Sequence, residues 1–214
     1  MININYLLII IIVFLVFNIY NKNSYESFNT NTLQNIYNQP LENCGDNTMK
    51  NGSWDNQGKC SEMGGGVHQI CIRNISKNTP NFSASTGQSN WSDKRGEDNH
   101  CVCLGAWSLF NAKNKQTNNK VLKCGAIPKA SLTKRYVSKF GEGWNKWNGL
   151  ELSDQIKDGV EGLINNCYDF NIENNPSNYS QNGINKNNAL KNNYCAFAKE
   201  IPSLNNTDLY RSLC

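Results

Sequence analysis

The apolar positions of the chain are unevenly spread, and the longest uninterrupted apolar stretch lies at the amino terminus. Residues 4–20 read INYLLIIIIVFLVFNIY, with no polar side chain between Leu7 and Phe17. At about 1.5 Å per residue, a helix over this stretch is about 25 Å long. The hydrocarbon core of a bilayer has a similar thickness, about 30 Å. The pattern predicts a transmembrane anchor over residues 1–20.

Two other interpretations of residues 4–20 are a cleaved signal peptide and a buried core helix. A signal peptide has a basic segment before its apolar run and small residues at a cleavage site after it. Residues 1–6 contain no Lys or Arg, and residues 18–24 contain no Ala-x-Ala pattern. We therefore expect an uncleaved anchor, a single pass through the membrane, and lipid contact through residues 4–20.

After the anchor, stretches with and without apolar periodicity predict how the chain is divided. Residues 21–39 are polar and rich in Asn, which is typical of a stalk. Residues 40–170 are expected to form a cysteine-rich domain, residues 171–193 an Asn-rich linker, and residues 194–214 a helical tail. The predicted fold class is therefore α+β, a small disulfide-stapled domain after a transmembrane helix, with a carboxyl-terminal helical tail.

Within the predicted domain and tail, one strand and three helices are expected. The segment CVCLGAW, residues 101–107, has the β-forming content of a short buried strand. Three sets of apolar residues follow helical spacing, and Asn148 with Glu151 resembles a capping box before the second set. The sets are Leu132, Tyr136, Val137 and Phe140; Leu152, Ile156, Val160, Leu163, Ile164 and Cys167; and Leu190, Tyr194, Phe197, Ala198 and Ile201.

Composition and charge limit the class of protein. Hydrophobic residues make up 38% and charged residues 18% of 214, so we expect a single domain with a thin apolar core. The 21 basic and 17 acidic residues give a net charge of +4 without long runs. Nucleic-acid binding needs a concentrated basic face, so no nucleic-acid partner is expected.

The nine cysteines predict a disulfide framework, because cross-links offset a small core in oxidising compartments. Their pairing is open at this stage. Cys214, at the end of the chain, is the candidate for the odd thiol or for a disulfide-linked dimer. Several Asn-x-Ser/Thr sequons make the chain a candidate glycoprotein, although a chain this rich in Asn contains some by chance. The disulfide candidates are Cys44, Cys60, Cys71, Cys101, Cys103, Cys124, Cys167 and Cys195.

Both histidines and three cysteines gather in two short segments and form the candidate site: His68, Cys71, His100, Cys101 and Cys103. Zinc is one interpretation, but a Cys-x-Cys pair is tighter than the usual Cys-x2-Cys knuckle. A redox-active dithiol and a Cys–His nucleophile are two more. The interpretation we favour is structural disulfides with an orienting histidine, without metal or cofactor.

These segments carry a resemblance to a small family of uncharacterised proteins found mainly in bacteria. The family pattern runs Pro-Leu-x-x-Cys, a Gly and Cys turn, Gly-x-His-x-x-Cys, and then Gly-Asp-x-x-Cys-x-Cys before an aromatic residue. His100 stands where that family usually has Trp. The resemblance implies a shared fold and site geometry without supplying a reaction. The matching positions are Pro40, Leu41, Cys44, Cys60, Gly66, His68, Cys71, Gly96, Cys101, Cys103 and Trp107.

The expected function follows from the anchor and the cysteines. We expect a single-pass membrane protein whose disulfide-stabilised ectodomain has a structural or interaction role with a protein partner. The composition is rich in Asn and in other amino acids with A/T-rich codons. This composition and the short anchor resemble proteins of giant DNA viruses of amoebae, and the resemblance implies that the protein lies in a virion or host membrane. The alternative is a thiol- or metal-dependent enzyme or ligand-binding domain that uses His68, Cys71, Cys101 and Cys103.

Overall fold

The computed structural model describes residues 33–45, 54–61, 68–96, 98–114, 120–133 and 152–214. The predicted anchor and most of the predicted stalk lie outside these ranges, and so does most of the helix predicted from Leu132 to Phe140. Within the described ranges, no helix combines the length and the apolar character needed to cross a bilayer. The span Leu33–Cys214 forms one compact unit.

A small antiparallel ribbon lies in the core, and it confirms the mixed α and β character expected from the sequence. Strand β1 (Ile70–Ile72) pairs with strand β2 (His100–Val102), and Cys71 lies directly opposite Cys101. All six strand residues are buried. The predicted strand over residues 101–107 is correct only at its start, because a helix begins at Leu104.

Helices make up most of the remaining described structure. Four single turns of 3-10 helix connect them, at Ser92–Lys94, Cys124–Ala126, Lys129–Leu132 and Pro176–Asn178. The α-helices are α1 (Ile75–Asn78), α2 (Phe82–Ser85), α3 (Leu104–Asn114), α4 (Leu152–Cys167), α5 (Phe170–Asn174), α6 (Gln181–Lys199) and α7 (Asp208–Leu213).

The largest helix contact joins α3 and α4, and a glycine permits it. The side chain of Trp107 is fully buried in α3, and its Nε1 donates a hydrogen bond to the carbonyl of Gly159 in α4, at 2.9 Å. A Cβ atom at Gly159 would lie 2.8 Å from the Cα of Ser108. Glycine therefore lets the two backbones approach more closely than any other residue could.

The stalk prediction is wrong for residues 33–39, which are part of the folded unit. Ile36 is completely buried, and its amide donates to the carbonyl of Ile127 at 3.0 Å. The buried side chain of Asn35 accepts from the amide of Gln39 and donates to the carbonyl of Gly125. Asn35 thus forms hydrogen bonds with buried backbone groups, a role that the polar composition of residues 21–39 does not reveal.

The linker prediction for residues 171–193 is also wrong, because this segment contains α5 and most of α6. The side chain of Ser180 caps α6 by accepting from the amide of Gly183. Asn187 is buried, and its amide group exchanges two hydrogen bonds with the backbone of Asp169. The Asn-rich helix is ordered by these contacts and by the apolar stripe that begins at Leu190.

Four disulfides cross-link the described chain and confirm the cysteine-rich framework. They join Cys44 to Cys71, Cys60 to Cys101, Cys124 to Cys167 and Cys195 to Cys214, with Cα separations of 5.5–5.7 Å. The prediction that Cys214 is the odd cysteine is wrong, because α7 lies against α6 and brings Cys214 to Cys195. Cys103, expected to be cross-linked, is the cysteine outside the four disulfides.

Candidate functional site

Four of the five candidate residues line one cavity, and two of the five are bonded in disulfides. Cys71 and Cys101 are bonded to Cys44 and Cys60, so neither is available as a thiol in this state. A cavity of about 240 Å³ lies beside strand β2 and contains four of the five candidates, Cys71 being the exception. The cavity is lined by His68, Phe82, Gln88, Trp91, Arg95, His100, Cys101, Val102, Cys103 and Ala106.

His100 is the most unusual polar group in this cavity. The side chain is 4% exposed, and its Nδ1 atom has no hydrogen-bond partner among the described residues. Its ring lies against the indole of Trp91, with 4.5 Å between the ring centroids. Burial, the positive charge of Arg95 and the proximity of His68, in decreasing order of effect, together lower the pKa of His100 to about 3. The imidazole is therefore neutral near pH 7, and one of its ring nitrogens can accept a hydrogen bond while the other donates one.

Trp91 and Arg95 form the second part of the site, and the 3-10 turn Ser92–Lys94 positions both. The Arg95 guanidinium carbon lies 5.5 Å from the centroid of the Trp91 ring, in cation–π contact. The indole Nε1 donates to the side-chain oxygen of Gln88 at 2.9 Å, which fixes the plane of the ring. Together they give the cavity an aromatic wall and a cation.

A pair of buried serines holds this turn against helix α2. The hydroxyls of Ser83 and Ser92 lie 3.0 Å apart, and the amide of Ser83 donates to the Ser92 hydroxyl. The Ser83 hydroxyl also accepts from the amide of Trp91 at 3.2 Å. The backbone of Trp91 is consequently held by the Ser83 side chain, which positions this wall of the cavity.

Cys103 supplies the thiol of the cavity and stands immediately before helix α3. The side chain is 5% exposed, and the Cys103 carbonyl accepts from the amide of Trp107 at 3.0 Å. Cys103 is thereby at the amino-terminal end of an 11-residue helix. Cys103 thus stands at the positive end of the dipole of this helix.

The zinc interpretation of the two histidines is not supported by their placement. Among the described residues, one group of three potential metal ligands lies close together, namely Cys44, Cys60 and Cys71. Neither histidine belongs to this group. His68 and Cys71, which come from the same motif, have different surroundings: His68 lines the cavity, whereas the Cys71 sulfur is bonded to Cys44.

Sequence reasoning did not identify three cavity residues, namely Gln88, Trp91 and Arg95. They lie in a polar segment, GQSNWSDKRG, that has no apolar periodicity. Trp91 was the one usable signal, because a large aromatic residue in a polar segment does not belong to the apolar face of a predicted helix or strand. No family model, curated protein or solved structure matches this chain.

Proposed function

We propose that the domain binds a small anionic molecule in the cavity and holds it against the Cys103 thiol for covalent thiol chemistry. One observation carries this proposal. The Arg95 cation, the buried His100 ring, whose Nδ1 atom has no partner among the described residues, and the one cysteine outside the disulfides all line the same cavity.

The charges of the lining favour an anionic ligand. No described residue of the lining is acidic, and His100 is neutral because its pKa is lowered. Among the described lining residues, the charge of Arg95 therefore favours a negatively charged ligand. A carboxylate is a suitable partner for its planar donor group. The neutral His100 ring can donate or accept one further hydrogen bond.

The size of the cavity limits the ligand to a small molecule. Its volume of about 240 Å³ is below the range of about 300–1,000 Å³ that accommodates drug-sized ligands. A planar part of the ligand can lie on Trp91, while its acidic group contacts Arg95. The reacting carbon of such a ligand would then face the thiol of Cys103.

We further propose that this chemistry takes place in an oxidising compartment, in a domain attached to a membrane. Four disulfides support the compartment, because structural disulfides persist where thiols are oxidised. The apolar run at residues 4–20 supports the attachment. A structural role in a virion or host membrane is the second candidate, and the cross-links support that role as well.

The proposal is tested with two alkylating agents of similar size, anionic iodoacetate and neutral iodoacetamide, on the full-length protein. In each reaction the thiolate sulfur bonds to the methylene carbon and iodide leaves. Arg95→Gln is expected to lower the ratio of the iodoacetate rate to the iodoacetamide rate by about fivefold, since a nearby unit charge contributes about 1 kcal/mol. Peptide mass mapping locates the modification at Cys103.

Lys94→Gln is the matched control for this experiment. It removes the same charge from the adjacent exposed residue, which does not line the cavity. The rate ratio should stay unchanged in Lys94→Gln, and labelling should disappear in Cys103→Ser. Equal rate ratios in the wild-type protein and Arg95→Gln, or labelling of Cys103 only after unfolding, would contradict the proposal.

A further inference from the structure

The sulfur atoms of two disulfides form a compact cluster at the ribbon, and Cys103 does not belong to it. The Sγ atoms of Cys44, Cys60 and Cys71 all lie within 4.8 Å of one another, and all three residues are completely buried. The Cys60 sulfur is bonded to Cys101, which adds a fourth sulfur. Three sulfur atoms thus lie close together although they belong to two separate cross-links, and the fourth, that of Cys101, is bonded to one of the three.

Strand register and a loop contact bring these four residues together. Cys71 and Cys101 are directly opposite each other in the antiparallel ribbon, so their side chains emerge on the same face. The amide of Cys44 donates to the carbonyl of Gly58 at 2.7 Å, which joins the loops that carry Cys44 and Cys60. The backbone therefore supports the cluster independently of the sulfur–sulfur bonds.

We propose that reduction of these two disulfides creates a four-thiolate site that binds one Zn²⁺ ion. Structural zinc sites with four cysteine ligands are tetrahedral with Zn–S bonds of about 2.3 Å, which places the sulfurs about 3.8 Å apart. The cluster already holds Cys44, Cys60 and Cys71 within 4.8 Å. After reduction, the two sulfurs of each former disulfide need to separate from about 2.0 Å to about 3.8 Å, which side-chain rotation provides.

Reduction and metal binding are two separate chemical steps. A phosphine reductant supplies two electrons to each disulfide, and one water molecule per disulfide supplies two protons and the oxygen of the phosphine oxide. The two sulfur–sulfur bonds thereby become four thiols, and two phosphine molecules are oxidised. Zn²⁺ then binds the four sulfurs as thiolates and displaces four protons, which leaves the site with a charge of −2.

Cationic side chains near the cluster offset that charge. The Lys123 ammonium donates to the carbonyl of Asn43, adjacent to Cys44, at 2.5 Å. The backbone amide of Lys123 also donates to the Cys71 carbonyl at 3.0 Å. Arg73 lies two residues after Cys71, and its Nε donates to the carbonyl of Leu122. A buried thiolate cluster needs such compensation.

The site gives the domain a second means of joining the ribbon to its two flanking loops. In an oxidising compartment the disulfides perform this function, and in a reducing one the metal performs it. Of the four sulfur ligands, Cys101 alone also lines the cavity, and neither Arg95 nor Cys103 belongs to the metal site. The inference therefore goes beyond the proposed function and can fail separately from it.

The test uses the full-length protein, reduced with a phosphine without oxygen and titrated with Co²⁺ as a spectroscopic substitute for Zn²⁺. We expect one Co²⁺ per chain, intense thiolate-to-cobalt absorption, and visible bands typical of tetrahedral coordination. Addition of Zn²⁺ should remove the absorption. Circular dichroism recorded in the same titration should show that the metal restores any helix lost on reduction.

Variants assign the ligands. Cys44→Ser should weaken Zn²⁺ binding by at least about tenfold through loss of one of four ligands, whereas Cys44→His, a ligand that zinc also accepts, should restore it. Cys103→Ser and the double change Cys195→Ser with Cys214→Ser should bind the metal as the wild-type protein does. Absence of thiolate-to-cobalt absorption, or equal binding by Cys44→Ser and the wild-type protein, would overturn the inference.

Discussion

Replacement of Cys124 and Cys167 together by alanine is expected to lower the free energy of unfolding by about 4 kcal/mol. This disulfide closes a sequence separation of 43 residues, and the loop-closure entropy that it removes from the unfolded chain grows with that separation. It also ties the end of helix α4 to the segment that packs on strand β1, since the amide of Lys123 bonds the carbonyl of Cys71. Denaturant unfolding without reductant measures the loss.

The fourth disulfide provides the matched comparison. Cys195 and Cys214 are separated by only 19 residues, so their joint replacement by alanine should cost about 3 kcal/mol. Both double variants retain the cavity and the thiol of Cys103. If the long cross-link proved worth less than the short one, the interpretation that disulfides compensate for a thin core would be incorrect for this part of the chain.

Acidification from pH 7 to pH 5 is expected to lower the free energy of unfolding by about 2 kcal/mol through His100 alone. Its pKa is about 3 in the folded state and about 6.5 in the unfolded state, because burial and the nearby Arg95 disfavour the imidazolium. The unfolded chain therefore binds a proton between these values, whereas the folded chain does not. Stability is complete above about pH 6.5 and is lost progressively as the pH falls towards 3.

His100→Phe separates this effect from the other titrating groups. Phenylalanine keeps a ring against Trp91 and removes the titration, so the difference in unfolding free energy between wild type and variant should shrink by about 2 kcal/mol from pH 7 to pH 5. Parallel pH dependences of the two proteins, measured by urea unfolding, would show that His100 is accessible to protons in the folded state.

Periodic segments were the predictable part of this fold. The stripe from Leu152 to Cys167 coincides with α4, and the stripe that begins at Leu190 forms the second half of α6. The number of cysteines, read together with the thin core, correctly predicted a disulfide framework. These predictions succeed because apolar spacing and cross-link density are properties of the sequence itself.

The Asn-rich segments could not be assigned from composition, because Asn acts through hydrogen bonds whose partners are distant in sequence. Asn187 bonds the backbone of Asp169, 18 residues earlier, and Asn35 bonds the carbonyl of Gly125, 90 residues later. Neither contact has a local signature. The segments were consequently expected to be a stalk and a linker, whereas residues 33–39 and 171–193 belong to the folded unit.

The candidate site was predictable only in part for the same reason. His68, His100, Cys101 and Cys103 are gathered in two motifs, and four of the five candidates line the cavity. Which cysteine keeps its thiol depends on the pairing, which spacing does not determine. Arg95 and Trp91 enter the site through the 3-10 turn and the Ser83–Ser92 contact, which depend on tertiary structure.

The most direct test is a cysteine map of the full-length protein, denatured without reductant in an alkylating agent and then digested for mass spectrometry. We expect one alkylated cysteine, Cys103, and four linked peptide pairs that join Cys44 to Cys71, Cys60 to Cys101, Cys124 to Cys167 and Cys195 to Cys214. A Cys103 found within a linked pair, with another cysteine alkylated in its place, would contradict this assignment.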